Sequence, residues 1–176
     1  RGWSGRPNMP PFPELWMVRA AAVTVYPMYR GVAKLCGMDS IEGAHTLPEQ
    51  IELMKQHWDE YDFFFLHYKY TDSAGEDGDF RRKQEAIAAF DECVPSIIDL
   101  KPNVLVVTGD HSTPASMAAH SFHPVPLLLW GDLVRSDHMH QFSERNCAQG
   151  EIGTIPAREV MPIAFAHAGR LAKFGA

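Results

Sequence analysis

The chain alternates short, nearly continuous apolar runs with longer segments whose apolar positions recur at helical spacing. "RAAAVTV" (Arg19 to Val25), "DFFFLHYKY" (Asp62 to Tyr70), "NVLVVTG" (Asn103 to Gly109) and "PLLLWG" (Pro126 to Gly131) predict strands, and "DSIEGAH" predicts a weaker extended segment. Between them, "YPMYRGVAKLCGM" predicts a helix with Pro27 in its first turn and Gly37 near its stop. "TLPEQIELMKQHWDEY" predicts another, with Thr46 as the cap and Glu49 three residues on. "DFRRKQEAIAAFDECVPSIIDL" predicts a long amphipathic helix kinked at Pro95, and "REVMPIAFAHAGRLAKF" a closing helix. Because the apolar runs are continuous, the strands are expected to be buried on both faces. That pattern predicts a three-layer α/β/α fold with a mainly parallel central sheet. There is no internal repeat and no low-complexity tract.

In sheets of this kind ligands bind beyond the carboxyl ends of the strands. The polar clusters fall there: "KYTDSAGEDGD" after one strand, "GDHSTP" after another, and "HSFHPVP" before a third. Asp72, Glu76, Asp77 and Asp79 crowd one expected loop with Gly75 and Gly78, and carboxylates so close repel unless a cation neutralises them. The plain alternative is a solvated turn in which Asp79 caps the next helix. Asp110 has a similar alternative as a cap beside an exposed His111, and His120 and His123 as surface histidines. Together these residues form a mixed oxygen and nitrogen donor set without a thiolate, which suits Mn2+ or Zn2+. Two such loops leave room for two ions roughly 4 Å apart, the arrangement that clamps a transferring phosphoryl group.

Composition narrows the alternatives. A chain of 176 residues with 45% hydrophobic content suits one compact domain. A net charge of −6 argues against nucleic-acid or acidic-membrane partners, and no apolar run approaches the roughly 18 residues of a membrane span. The first residues lack the layout of a signal peptide. Cys36, Cys93 and Cys147 fit neither a zinc pattern nor a disulfide framework, so a cytoplasmic setting is expected. The chain opens at Arg1 in a Pro-rich stretch, so residues 1–18 are expected to be a linker from an upstream region. Residues 19–176 are expected to carry the folded part.

"TDSAGEDGDF", "LVVTGDHSTP" and "HSFHPVPLLL" resemble the C-terminal part of cofactor-independent phosphoglycerate mutase of the archaeal-type branch, in the alkaline phosphatase superfamily, which implies that residues 19–176 are the C-terminal part of its metal-binding, phosphatase-like domain. "RAAAVTVYPMYRGVAKLCGM" and the terminal "RLAKFGA" extend the resemblance over nearly the whole chain. It implies two divalent cations, Mn2+ first, with Zn2+, Mg2+ or Co2+ as alternatives. One ion would take Asp72 and His120, with Glu76 standing where the family pattern has histidine; the other would take Asp110 and His111. The family's Ser nucleophile and transferase domain match no segment here, so the resemblance places no catalytic nucleophile in this chain. The implied reaction interconverts 3-phosphoglycerate and 2-phosphoglycerate in glycolysis through a phosphoserine. His123, Lys69 and Arg30 are the candidates for contact with a small phosphorylated substrate. His67, Trp58, Trp130 and residues 63–65 read as packing. The rival readings are another phosphoryl-transfer enzyme of the superfamily, phosphatase or phosphopentomutase, and a non-catalytic metal-binding domain. The sequence leaves the oligomeric state open.

Overall fold

A computed structural model describes residue 5 and residues 7–171. The chain divides into two compact units, one of residues 1–73 with 84–100 and one of residues 74–83 with 101–176.

The first unit is built on strand β1 (Ala20–Thr24). Parallel neighbours β2 (Asp39–Ile41) and β3 (Phe63–His67) flank it, in the order β2-β1-β3. Ala20 to Val23 are all at most 3% exposed, so both faces of β1 are covered, as the unbroken apolar run predicts. Three successive alanines let helices α2 (Pro27–Leu35) and α3 (Leu47–Gln56) approach β1 closely. Gly37, at φ 80, terminates the α2 segment in the left-handed region that disfavours a side chain.

Helix α3 begins as expected: Thr46 Oγ1 accepts from Glu49 N–H, and the Glu49 carboxylate accepts from Thr46 N–H. A further bond from His45 N–H, the larger influence, and the Thr46 bond hold Glu49 below the usual carboxylate range. Thr46→Ala is expected to lower thermal stability by about 1 kcal/mol, read as a drop in unfolding midpoint; an unchanged midpoint would deny the cap its role. The apolar face of α3 (Leu47, Ile51 and Met54) includes Gln50, only 1% exposed. Its amide donates to Val23 O at 2.9 Å and His67 O at 3.2 Å, satisfying carbonyls near the ends of two neighbouring strands. The Pro-rich entry carries a short helix, α1 (Phe12–Trp16). Phe12 N–H donates to Cys36 O at 2.7 Å, and its ring lies 4.8 Å from that of Phe63.

In the second unit, β4 (Val104–Thr108) and β5 (Leu127–Gly131) pair antiparallel, with Thr108 opposite Leu127. The pattern of apolar runs announced burial, not direction, and this pair runs opposite to the parallel arrangement expected of most strands. Thr108 Oγ1 donates to Pro126 O at 3.0 Å, and an isolated bridge joins Ser112 to Ser121, so the two loops beyond this end of the sheet are tied to each other.

The expected loop after β3 is instead a helix, α4 (Tyr70–Glu76). The expected long helix is α5 (Phe80–Asp91) followed by a separate α6 (Val94–Ile98), with Pro95 in the first turn of α6 where its missing N–H has no helical partner to lose. A short helix α7 (Glu144–Cys147) starts at Ser143, whose hydroxyl accepts from Asn146 N–H. The closing helix is α8 (Val160–His167), shorter than the pattern predicts; residues 172–176, with most of "RLAKFGA", lie outside the described residues. Among the described residues no helix is long and apolar enough to cross a membrane.

Candidate metal centre

Helix α4 sorts the four acids of the expected loop. Asp72 and Glu76 stand four residues apart on it, one turn, and so share a face. Asp79 accepts from Arg82 N–H at 2.9 Å and caps α5, as its plain alternative had it, and the exposed Asp77 pairs with Arg82 at 2.7 Å. The chain turns between the helices at Gly78, φ 70.

In the second unit, the carboxylate of Glu76 lies 3.4 Å from His120 Nε2. The His120 ring lies 3.9 Å, centroid to centroid, from that of His111. His111 Nε2 in turn is 3.5 Å from Asp110 Oδ2, while Asp110 Oδ1 accepts from His111 N–H at 3.1 Å. The other ring nitrogen of His111, Nδ1, meets the hydroxyl of Thr113 at 3.0 Å. Thr113 is 4% exposed, and its carbonyl accepts from Lys83 Nζ at 2.5 Å. With the imidazole proton on Nδ1 toward Thr113, the basic lone pair of His111 is on Nε2, beside Asp110.

This donor set fits a divalent cation. Ligand atoms held about 2.1 Å from one ion stand roughly 3.0–3.4 Å apart in octahedral or tetrahedral geometry. The Glu76–His120 edge of 3.4 Å has this size, and the Asp110–His111 edge of 3.5 Å lies just beyond it. Gly75 sets how closely α4 approaches the Thr113 segment: a Cβ on it would stand 2.3 Å from Thr113 O and 3.0 Å from Lys83 Nζ.

Of the other candidates, His123 Nδ1 lies 2.9 Å from Ser121 Oγ, beside Phe122, which is 91% exposed. In the first unit, Lys69 pairs with Asp72 within one turn, and its ammonium stands 5.4 Å from the Tyr26 ring centroid. Arg30 donates from Nε to Thr24 O at 2.9 Å and pairs with Glu42 at 3.7 Å. The Lys34 hydrogen bond, reinforced by the charges of Lys34 and Arg30, holds Glu42 below the usual carboxylate range. Sequence reasoning missed Thr113, Lys83 and Gln50. Gln50 alone left a signal, as the polar residue in an otherwise apolar helical stripe.

A family model described as the Metalloenzyme superfamily matches residues 2–167. The chain belongs to that superfamily. It is 52% identical over 176 residues to a probable 2,3-bisphosphoglycerate-independent phosphoglycerate mutase of Thermotoga neapolitana, and 45% identical over 179 residues to one of Thermus thermophilus. In each case the whole chain is covered but only 44% of the relative, so the chain spans less than half the length of these proteins. Among solved structures, a Pyrococcus horikoshii protein matches all of the chain with a TM-score of 0.94 at 37% identity, over 57% of its own length. A cofactor-independent phosphoglycerate mutase from Thermoplasma acidophilum matches 93% of the chain with a TM-score of 0.74 at 25% identity, over 40% of its own. The mixed α/β class with a parallel sheet, expected from the apolar runs, agrees with this membership.

Proposed function

We propose that this superfamily member forms part of a 2,3-bisphosphoglycerate-independent phosphoglycerate mutase, interconverting 3-phosphoglycerate and 2-phosphoglycerate, and supplies cation ligands to its phosphoryl-transfer centre. The observation that carries the reading is the pair of carboxylate–imidazole edges, Glu76–His120 and Asp110–His111, joined by the contact between the two imidazoles. Asp110 with His111 forms the second edge, and Asp72, one turn before Glu76 on the same helix, is the further carboxylate that the family resemblance assigns to the first cation. Two divalent cations would there neutralise charge on the phosphoryl oxygens and lower the pKa of an attacking hydroxyl. Mn2+ is the favoured ion, because three carboxylates and two imidazoles make a hard, mixed donor set. The reading takes the nucleophile and the remaining substrate contacts from the length of the relatives that this chain does not span.

The chain's own residues orient and hold. Thr113, pinned through its carbonyl by Lys83, keeps the proton of His111 on Nδ1 and so presents Nε2 as a donor atom. His123 and Lys69 supply N–H groups for the anionic substrate, while Arg30 neutralises charge at the carboxyl edge of β1. The expected cellular setting is the cytoplasm, where a glycolytic reaction takes place. Thr113→Val, which keeps the volume but removes the hydroxyl, is expected to weaken Mn2+ binding roughly tenfold, measured by titration of the chelated protein; unchanged affinity would deny Thr113 this role.

The reading is tested on the intact protein, stripped with chelator and assayed with 3-phosphoglycerate. Restoration of 2-phosphoglycerate formation by Mn2+ supports it. Hydrolysis of simple phosphate esters without interconversion would replace it with a phosphatase, and cation binding with neither activity would leave a binding domain.

A further inference from the structure

Two segments of the second unit carry the imidazoles of the cation centre, and the fold ties them together. Ser121 N–H donates to Ser112 O at 2.8 Å, in the bridge that joins the segment of Asp110 and His111 to that of His120. The backbone of Ser121 is thereby placed, and its hydroxyl lies 2.9 Å from His123 Nδ1. The Phe122 ring stacks on the same imidazole at 4.6 Å and 19°. Phe122 is 91% exposed, so this stack is not a by-product of core packing. His123 is itself exposed, three residues beyond His120, and among the described residues nothing bonds its Nε2. That the partner of Nδ1 is a hydroxyl has a chemical consequence. A backbone N–H there would hold the ring neutral, and a carbonyl would hold a proton on Nδ1. A hydroxyl accepts from the imidazolium and, by turning its own proton, donates to the neutral ring. His123 can thus gain or lose a proton at Nε2 without losing its orientation.

We propose that His123 is the acid–base residue of the phosphoryl transfer, with Ser121 as its positioning residue. The proposal rests on the phosphoglycerate reading above. That reaction exchanges a proton and a phosphoryl group between two oxygens of one glycerate, so the group that protonates the first oxygen has to be recharged by the second. With an oxygen nucleophile ionised before it attacks, its bond to phosphorus forms as the bond from phosphorus to the first glycerate oxygen breaks. The Nε2 proton of the His123 imidazolium goes to that oxygen and leaves the ring neutral. On the return step the second glycerate hydroxyl gives its proton to Nε2 as its oxygen bonds phosphorus, and the nucleophile departs ionised. The ring ends as imidazolium, and no proton is consumed. Ser121 serves both halves, as acceptor before the first transfer and as donor after it.

The test uses the intact protein, assayed with 3-phosphoglycerate and titrated separately with Mn2+. Glutamine can place an amide N–H near the Nε2 position of the ring but transfers no proton. His123→Gln is therefore expected to keep KM within about threefold and to lower kcat by roughly a hundredfold or more. Ser121→Ala should lower kcat by roughly tenfold and shift the imidazole 15N signals of His123, and Ser121→Thr should restore both. None of the three changes should alter the Mn2+ titration. An undiminished kcat in His123→Gln would reduce the residue to a hydrogen-bond donor and overturn the proposal, with the mutase reading left standing. A kcat loss that comes with lost Mn2+ affinity would overturn it too, since the effect would then lie in the cation centre. Absence of interconversion in the unsubstituted protein would sink the mutase reading and this proposal together.

Discussion

Gly75→Ala is expected to cost the second unit both stability and cation affinity. The added carbon would stand 2.3 Å from the carbonyl oxygen of Thr113 and 3.0 Å from both its Cγ2 and Lys83 Nζ. The Lys83 side chain can swing away; the Thr113 carbonyl is backbone and cannot. Relief therefore requires α4 and the Thr113 segment to separate. Overpacking of this kind typically costs about 1–3 kcal/mol. The same displacement would pull Glu76, the next residue on α4, away from His120, and would disturb the Thr113 hydroxyl that orients His111. Two effects should thus appear together, a lowered unfolding midpoint and a loss of Mn2+ affinity of at least roughly tenfold. A variant that melts normally and binds Mn2+ normally would show that this close approach does not set the site.

Glu76→Gln should leave the unfolding midpoint nearly untouched and still weaken Mn2+ binding and turnover by roughly tenfold or more. The substitution keeps the shape of a half-exposed side chain and removes only its charge. If Glu76 is a ligand or holds one, the amide is a poorer donor to a hard cation and no longer balances its charge. An unchanged titration would remove Glu76 from the proposed ligand set. The contrast with Gly75→Ala is informative, since one variant acts through position and the other through charge.

The elements that were legible in the sequence are those where local and tertiary demands agree. Unbroken apolar runs announced β1, β3, β4 and β5, and Thr46 with Glu49 announced the start of α3. The acid-rich stretch after β3 misled because glycine and aspartate disfavour helix, and that cost is overridden by packing that buries Ala74 and Gly75. The antiparallel pairing of β4 and β5 was not legible, since hydrophobicity reports burial and carries no sign of strand direction. At the centre, Asp110, His111 and His120 stood out by residue type. The controls on them did not: Thr113 and Lys83 act through a carbonyl, a hydroxyl and an ammonium brought together by the fold, from residues that no spacing connects.

The helical state of residues 70–76 also bears on which sequence changes this region can absorb over evolutionary time. On a helix, direction is set by counting: each residue turns the chain by about 100°. The side chain at position 76 can therefore be exchanged, carboxylate for imidazole, without altering where it points. Deleting or inserting a single residue after Asp72 would swing that side chain by about 100°, whatever its chemistry. Related chains should accordingly vary in the letter at this position but hold the four-residue interval invariant, with length changes confined to the turn at Gly78 and beyond.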